Sequence, residues 1–540
     1  MSKRLGEPAE ADPASALPAD FDETAYMMAF PKIADAIRGG LFRSAHDHYR
    51  RRGAAENRLA EPRYRKALAA NMQLRALSGP TSPAAPLDGQ VPSNIDTFLV
   101  ADGGWAVVIG WIDDRTQNLA SVSVACADGR RFIARHIARC RRPDAEAATG
   151  CPPGTLLGFW ALIQMPLADA AALGGSILLS CGGEPISFTA RPRVMPTVAL
   201  RDAVFEYLAG ATYFGAPAVE TCLQLARGIG EDLLALNQAV SSNITARPYV
   251  ERYGRQGRGF VASIVVCLYG RLEYVFLQAA FFSAAAGAEA YEFVYVCNSP
   301  ELTEGLQREA RLAARLYGLS ITLIILPGNA GFGAANNVAV RHARSDRVIM
   351  LNPDVFPRDD LWPARHAALI STLPAEQTHL FGVPLFYDDG SLMHGGMFFE
   401  ADTGLSVRPD GIVALSLLRV EHYGKGAPPD TPLYRQSRRV PAVTGAFISA
   451  DRAWFERLGG FSESYVFGHY EDADLCLKSW QAGGAVWLHD VPMWHLEGKG
   501  SNRRAAHEGG SVVNRWLFTT LWGERIARDF HGSNPPGIGT

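Results

Sequence analysis

Arg347-Val-Ile-Met-Leu-Asn-Pro-Asp-Val355 decides how this chain is read. Val348 to Leu351 are four apolar residues in succession, the pattern of a short strand buried on both faces of an α/β sheet. Asn352-Pro-Asp354 ends the run, because proline has no N–H for the ladder and turns the chain outward. Ligands of open α/β sheets gather at the carboxyl ends of strands, which places Asp354 where a ligand would lie. An Asn-x-Asp turn offers hard oxygens suited to Mg²⁺ or Mn²⁺. These residue types are also common in ordinary turns, and three residues do not decide between the two readings.

Outward from this stretch the alternation of strand and helix is regular. Upstream, Val261 to Leu268, Phe293 to Val296 and Ile321 to Leu326 read as buried strands. The segments Tyr274 to Ala286, Leu302 to Tyr317 and Asn336 to Ala343 read as the helices between them. Such alternation predicts a parallel nucleotide-binding sheet. Between the third strand and its helix lies Asn329-Ala-Gly-Phe-Gly-Ala-Ala-Asn-Asn337. Gly331 and Gly333 begin a dinucleotide-like fingerprint, but Asn336 stands where the third glycine would be. A helix N-terminus with small residues suits a phosphate or a nucleoside, and it also suits a plain tight turn.

Four blocks taken together resemble glycosyltransferase family 2, the inverting enzymes with a GT-A fold. They are the loop Asn329 to Asn337 with Leu351-Asn-Pro-Asp354; Thr444-Gly-Ala-Phe-Ile-Ser449 with Gly459-Gly-Phe461; Tyr470-Glu-Asp-Ala-Asp-Leu-Cys-Leu-Lys478; and Trp494-His-Leu-Glu-Gly-Lys-Gly-Ser501. Their order and spacing over residues 260 to 505 are closest to the rhamnosyltransferase-like branch, which includes enzymes of bacterial surface polysaccharide assembly. The resemblance implies that Asn352 and Asp354 occupy the metal-binding D-x-D position and that His495 completes the metal site. It implies that Glu471 and Asp472 are the acidic pair, with Asp472 the catalytic base. Donor contacts would come from Asn298, Asn329, Gly331, Phe332, Gly333, Asn336, Asn337 and Asn352. Asn352 replaces an acid, so the site has one charge less and would bind metal more weakly without the nucleotide. Cys267-Leu-Tyr-Gly-Arg271 and Cys297-Asn-Ser-Pro-Glu301 depart from the usual donor loops. The nucleotide therefore stays open, with UDP- or dTDP-linked sugars expected.

The expected activity is metal-dependent transfer of a sugar to a hydroxyl of a glycan or lipid-linked glycan. Arg503 and Arg504 are candidates to clamp the diphosphate, and His394, His422, Tyr423 and Tyr434 fall where an acceptor would bind. The competing classes are a non-catalytic glycan-binding scaffold on the same fold and a sugar nucleotidyltransferase, which would release pyrophosphate.

Residues 540 in number suggest several domains, and 52 basic against 55 acidic side chains give a net charge of −3. No global field favours nucleic acid as a partner. Eight cysteines without a C-x-x-C pair argue against a zinc site and for a reducing compartment. No apolar run approaches the ~20 residues of a membrane span, and the N-terminus lacks the apolar stretch of a signal peptide. A cytoplasmic protein is expected.

The segmentation reads as a disordered tail at 1–24, a helical segment and linker at 25–94, and a β-sandwich-like domain at 95–195. A helical connector at 196–259 then precedes the catalytic domain at 260–540. In the sandwich, Trp105, Val107, Ile109 and Trp111 alternate along one face and are expected in its core. The basic cluster Arg43, Arg50, Arg51, Arg52, Arg58, Arg63, Arg65 and Lys66 reads as a solvated helix face. The C-terminal helix Val512 to Phe530 reads as packed on the catalytic domain, with peripheral contact to the inner face of a membrane as the alternative.

Overall fold

The structure is a computed structural model. It describes residues 21–530 except 31–32, 34–35, 38–41, 43, 57, 61–63, 65–90, 116–117, 153, 171–172, 183–184, 212–220, 256, 258, 373–378, 409–410 and 497–503. Residues 1–20 of the expected tail and most of the linker lie outside the described residues, as do Arg43, Arg63, Arg65, Lys66 and Arg503, whereas Glu23 and Thr24, at the end of that tail, already belong to a helix. The chain divides into two compact units, one of residues 1–151 with 156–195, the other of residues 152–155 with 196–540.

The first unit opens with helix α1 (Glu23–Ala29), whose first turn is capped by the Asp22 carboxylate accepting from Ala25 N at 2.8 Å. Arg50, Arg51 and Arg52 face solvent, and Arg51 pairs with Asp47 at 2.7 Å. The sandwich strands are β1 (Ser93–Ala101), β2 (Trp105–Ile112), β3 (Ser121–Cys126), β4 (Arg131–Ile133), β5 (Ala138–Cys140), β6 (Gly158–Gln164), β7 (Leu173–Ser180), β8 (Ile186–Thr189) and β9 (Arg193–Met195). They form two sheets, β5-β6-β2-β1-β9 and β4-β3-β7-β8, antiparallel except where β9 runs parallel to β1. Their shared core takes Ala106, Val108 and Ile112 from β2, together with Val122, Val124, Ile177 and Leu179 from the opposing sheet. The tryptophan face of β2 is therefore the other one, and Trp111 packs instead on Ala145, Cys151 and Leu157. Both faces of β2 are apolar, so alternation separated them without telling which is inner.

The second unit is built on a nine-stranded mixed sheet. Its strands are β10 (Tyr249–Tyr253), β11 (Ala262–Leu268), β12 (Tyr291–Cys297), β13 (Ser320–Ile325) and β14 (Arg347–Leu351), followed later by β16 (His379–Gly382), β21 (Arg438–Arg439), β22 (Phe447–Asp451) and β23 (Ala485–Leu488). The spatial order is β10-β13-β12-β11-β14-β22-β16-β23-β21. Strands β13, β12, β11 and β14 are parallel, and every residue of β11, β12 and β14 is buried. Crossovers run through α4 (Glu273–Ser283), α5 (Thr303–Tyr317) and α6 (Phe332–His342). Because β11 leads to β12 on one side and lies beside β14 on the other, the sheet has a switch point between β11 and β14. Parallel strands diverging there leave a crevice at their carboxyl ends.

Strand β10 lies within the segment 196–259 that reads as a helical connector; it pairs antiparallel with β13 from Tyr249↔Ile325 to Tyr253↔Ile321. Charged Glu251 and Arg252 suit an edge strand, which keeps one side in water. The helices before it, α2 (Thr197–Ala211) and α3 (Gly230–Thr245), do more than connect. Arg201 of α2 donates to Asn329 O at 2.9 Å, and Ser241 of α3 donates to Ala330 O at 2.9 Å.

A second, four-stranded sheet combines β15 (Val355–Pro357), β17 (Leu385–Phe386), β18 (Leu392–His394) and β24 (Met493–His495) in the order β15-β24-β17-β18. Its register sets Val355 opposite His495. A hairpin of β19 (Met397–Arg408) and β20 (Gly411–His422) extends from this side. Helix α7 (Glu471–Gln481) carries the acidic block, and α8 (Ala505–Asp529) packs along α2. At their crossing a Cβ on Gly509 would fall 1.9 Å from Phe205 O, so only glycine permits this approach.

Candidate active site

Four strand ends and the loops facing them enclose a cavity of about 450 Å³. That lies within the ~300–1,000 Å³ typical of small-ligand sites. Strand β11 contributes Cys267 and, just past its end, Tyr269. The turns after β12, β13 and β14 contribute Asn298, Asn329 with Phe332, and Asn352-Pro-Asp354. Thr444-Gly-Ala446, Phe467 to Asp472 and His495 also line it. Met393, Met397, Val420 and His422 line one side, and His507 and Ser511 of α8 another.

Asp354 and His495 meet because β15 and β24 pair directly. Leu496 N donates to Asp354 O at 3.0 Å, and His495 Nε2 lies 3.4 Å from Asp354 Oδ1, with both side chains buried. The second ring nitrogen of His495, Nδ1, is buried without a hydrogen-bond partner in the structure. One carboxylate oxygen and one imidazole nitrogen fit a divalent ion such as Mn²⁺ that keeps further positions for ligand oxygens. Among the described residues no three His, Cys, Asp or Glu side chains form a metal cage. Asn352 lines the cavity beside Asp354, its backbone held by Ala446 O at 3.1 Å and by Gln278 Nε2 at 3.0 Å.

Across the cavity, Glu471 and Asp472 begin α7. Asp472 accepts from Gly445 N through Oδ2 and from Ala473 N through Oδ1, each at 2.8 Å. Glu471 has Oε2 buried with no partner. Burial raises the pKa of both carboxyls, and for Glu471 the neighbouring Asp472 charge adds to it. Asp472 has an amide donor on each carboxylate oxygen, whereas Glu471 has Oε2 buried without a partner, so Glu471 holds the proton and Asp472 the charge. An acid whose pKa rises on folding contributes stability below its unfolded value that is lost as pH climbs towards the folded one. For Glu471 that window runs from the ordinary value of 4.5 up to about 8. Glu471→Gln is therefore expected to match wild type in thermal stability near pH 5 and to exceed it increasingly up to pH 8–9. A melting-temperature difference that stays flat with pH would show that Glu471 is not the protonated member.

The chain approaches this pair by an unusual path. Phe467 (φ 60°), His469 (88°) and Tyr470 (76°) are the only non-glycine residues with positive φ among the described residues. Each such residue costs about 1–3 kcal/mol, and clusters of them mark functional sites. Phe332 N donates to Phe467 O at 2.6 Å, which ties this segment to the loop after β13.

Of the donor-loop residues, Asn298, Asn329 and Phe332 line the cavity. Asn298 spends its amide on the loop itself, donating to Asn329 Oδ1 at 2.9 Å and accepting from Ala330 N at 2.8 Å. Gly331 (φ 89°) caps α6 beneath the Phe467 backbone. Gly333, Asn336 and Asn337 are not among the lining residues. Gly333 packs on Phe461 and Ser462; Asn336 donates to Phe332 O at 2.9 Å; Asn337 donates to Phe461 O at 2.8 Å and accepts from Phe461 N at 3.0 Å. His422 lines the cavity with buried His394 behind it, Nδ1 to Nδ1 at 3.3 Å, whereas Tyr423 and Tyr434 pack around Gly395 and Gly424. Arg504 sits at the N-cap of α8.

Sequence reasoning missed Tyr269, His507 and Ser511 as site residues. The His507 ring lies 5.1 Å from Tyr269 and 4.7 Å from Phe467, and Ser511 Oγ is 2.8 Å from His469 Nδ1. The polar stripe His507, Ser511, Asn514 has helical spacing and was the available signal, overshadowed by the apolar stripe of the same helix. Arg201 was missed too: it is fully buried, with its guanidinium 4.6 Å over the Phe467 ring.

Residues 263–391 match the family model of glycosyl transferase family 2, so the segment bearing the parallel strands is homologous to those enzymes. Over 169 residues the chain is 29% identical to uncharacterized protein y4gI of Sinorhizobium fredii (strain NBRC 101917 / NGR234), an alignment spanning 31% of this chain and 17% of that protein. Among solved structures it is similar to GalNAc-T7 with UDP, GalNAc and Mn²⁺ (16% identity, half of each chain, TM-score 0.35). It is also similar to a mannosyltransferase of Pyrobaculum calidifontis in complex with GDP-Man and Mn²⁺ (14% identity, 62% of this chain and 88% of that one, TM-score 0.31). The architecture is mixed α/β, consistent with a GT-A nucleotide-sugar-binding fold with β-rich and helical regions, as the resemblance of the four sequence blocks implies. No helix among the described residues is long and apolar enough to cross a membrane.

Proposed function

We propose that this chain transfers a sugar from a nucleoside-diphosphate donor, UDP- or dTDP-linked, to a hydroxyl of a glycan or lipid-linked glycan, with inversion at the anomeric carbon. The rhamnosyltransferase-like branch and bacterial surface polysaccharide synthesis complete this reading. The observation that carries it is the meeting in one cavity of four strand ends, the Asp354–His495 pair and the Glu471–Asp472 pair.

Asp472 accepts the proton of the acceptor hydroxyl as that oxygen attacks the anomeric carbon. The new carbon–oxygen bond forms while the bond to the diphosphate breaks, and the nucleoside diphosphate leaves with the electron pair. Asp472 is held for this by Gly445 N and Ala473 N, and Glu471, carrying its proton, adds no second charge beside it. A divalent ion, when bound by Asp354 and His495, supplies positive charge against the diphosphate. The loop from Asn329 to Phe332, braced by Asn298 and Arg201, shapes the donor side. The His422 side, lined also by Met393, Met397 and Val420, is left for the acceptor. A reducing, cytoplasmic setting is part of this proposal.

The test is nucleoside diphosphate release across a panel of nucleotide sugars with Mn²⁺ or Mg²⁺, with donor binding read in the same samples. Turnover of one donor that stops on chelation supports the reading. Pyrophosphate as product would point to a nucleotidyltransferase, and binding of no donor with either metal would leave a glycan-binding scaffold.

A further inference from the structure

The left-handed path through Phe467, His469 and Tyr470 needs an external hold, since L side chains oppose it. Beside the contacts of Phe332 N with Phe467 O and of Ser511 with His469, one residue of α8 meets this backbone with a set of four hydrogen bonds. Asn514 is completely buried and does not line the cavity. Its Oδ1 accepts from Val466 N at 2.7 Å. Its Nδ2 donates to Val466 O at 3.0 Å, Gly468 O at 2.8 Å and His469 O at 3.2 Å. The partners dictate which way the amide faces, because one N–H and three carbonyls meet it. A carboxamide answers this set with one acceptor and two hydrogens on a single planar group. Close approach is secured by Gly510, where a Cβ would lie 3.1 Å from the Val466 side chain and 3.2 Å from that of Phe467. The same segment is tied to the donor loop through Phe332 N and Phe467 O, so one side chain fixes the spacing between donor loop and acid pair.

We propose that Asn514 is the positioning residue of the transfer site: its carboxamide holds residues 466–469 in the path that starts α7 with Glu471 and Asp472 facing the cavity. This rests on the transferase reading above, and it gives the C-terminal helix a role in catalysis although it lies outside the family-matched segment.

The test compares the full chain with Asn514→Asp, which keeps the shape but turns the donor into an acceptor facing three carbonyls. Val513→Ala, a cavity-forming change at the adjacent buried position, is the control for general loosening. In Asn514→Asp, amide hydrogen exchange over residues 466–473 is expected to quicken about tenfold or more, as a lost local hold allows. Nucleoside diphosphate release should fall about 100-fold in kcat with the donor KM changed less than about threefold. Val513→Ala should lose comparable thermal stability yet keep kcat within about twofold. If Asn514→Asp does not fold, Asn514→Ser takes its place in both measurements, with about a tenfold loss expected. Unchanged exchange over 466–473, a kcat like wild type, or an equal kcat loss in Val513→Ala overturns the proposal. If the wild-type chain turns over no donor, the transferase reading fails by itself, and the exchange measurement still decides whether Asn514 holds the segment.

Discussion

Asp472→Asn is expected to lower the rate of sugar transfer about 10³-fold, roughly 4 kcal/mol of barrier, while donor affinity stays within about twofold. The size follows from what asparagine keeps and loses. Gly445 N and Ala473 N both donate to the Asp472 carboxylate. An amide can accept from one of them through its oxygen, but its NH₂ opposes the other, at about 1–3 kcal/mol for a buried donor left unmade. The fold can bear that loss; the chemistry cannot, because an amide does not take a hydroxyl proton near neutral pH. Glu471→Gln should cost about tenfold or less, because a glutamine mimics the protonated acid already there. Burial lifts the Asp472 pKa, so the acid limb of the wild-type rate profile should lie above the ordinary aspartate range, with activity falling as pH drops through it. Initial rates of nucleoside diphosphate release, with donor binding by calorimetry, decide the matter. An Asp472→Asn enzyme retaining more than a tenth of wild-type turnover would remove Asp472 from the role of base.

The parts of this fold that could be read in advance share one property: their residues are set by local burial. Strands β11, β12 and β14 are buried along their whole length, and continuous apolar runs announce such strands. Edge strand β10, Tyr249-Val-Glu-Arg-Tyr253, carries two adjacent charges before a stretch of Arg and Gly, and only its partner β13 reveals it. The cavity wall follows the same division. Asn298, Asn329 and Asp354 sit at strand ends, where the sheet itself dictates position. Asn336 and Asn337 belong to the same loop-to-helix motif, yet their side chains serve packing. Asn337 is claimed by Phe461, 124 residues later, a pairing that no local pattern contains. Arg201 and Asn514 lie still further from the motif in sequence, and the fold alone brings Arg201 to Asn329 and the Phe467 ring and Asn514 to Gly468. Motif reading therefore named residues that meet in the cavity, and tertiary contacts determine what holds them there.

Asp354→Ala is the second change expected to be severe, with about a 10³-fold loss of donor turnover and no recovery on adding Mn²⁺. The fold should survive it, because the backbone of Asp354 still accepts from Leu496 N at 3.0 Å and Val355 still pairs with His495. Removing the carboxylate leaves His495 as the one protein donor of the pair, and a single imidazole holds a divalent ion weakly. The distinguishing result is in binding: Mn²⁺ should tighten nucleoside diphosphate binding to the wild-type chain, and this effect should vanish in Asp354→Ala. His495→Ala should retain part of it, since the hard carboxylate remains. Asn352→Asp runs the opposite way. An added carboxylate beside Asp354 restores the charge that asparagine withholds, so metal should bind before the nucleotide, detectable by calorimetry with Mn²⁺ alone. If Asp354→Ala still shows Mn²⁺-dependent tightening, the ion sits elsewhere, and the pairing of Val355 with His495 is only a packing contact of β15 and β24.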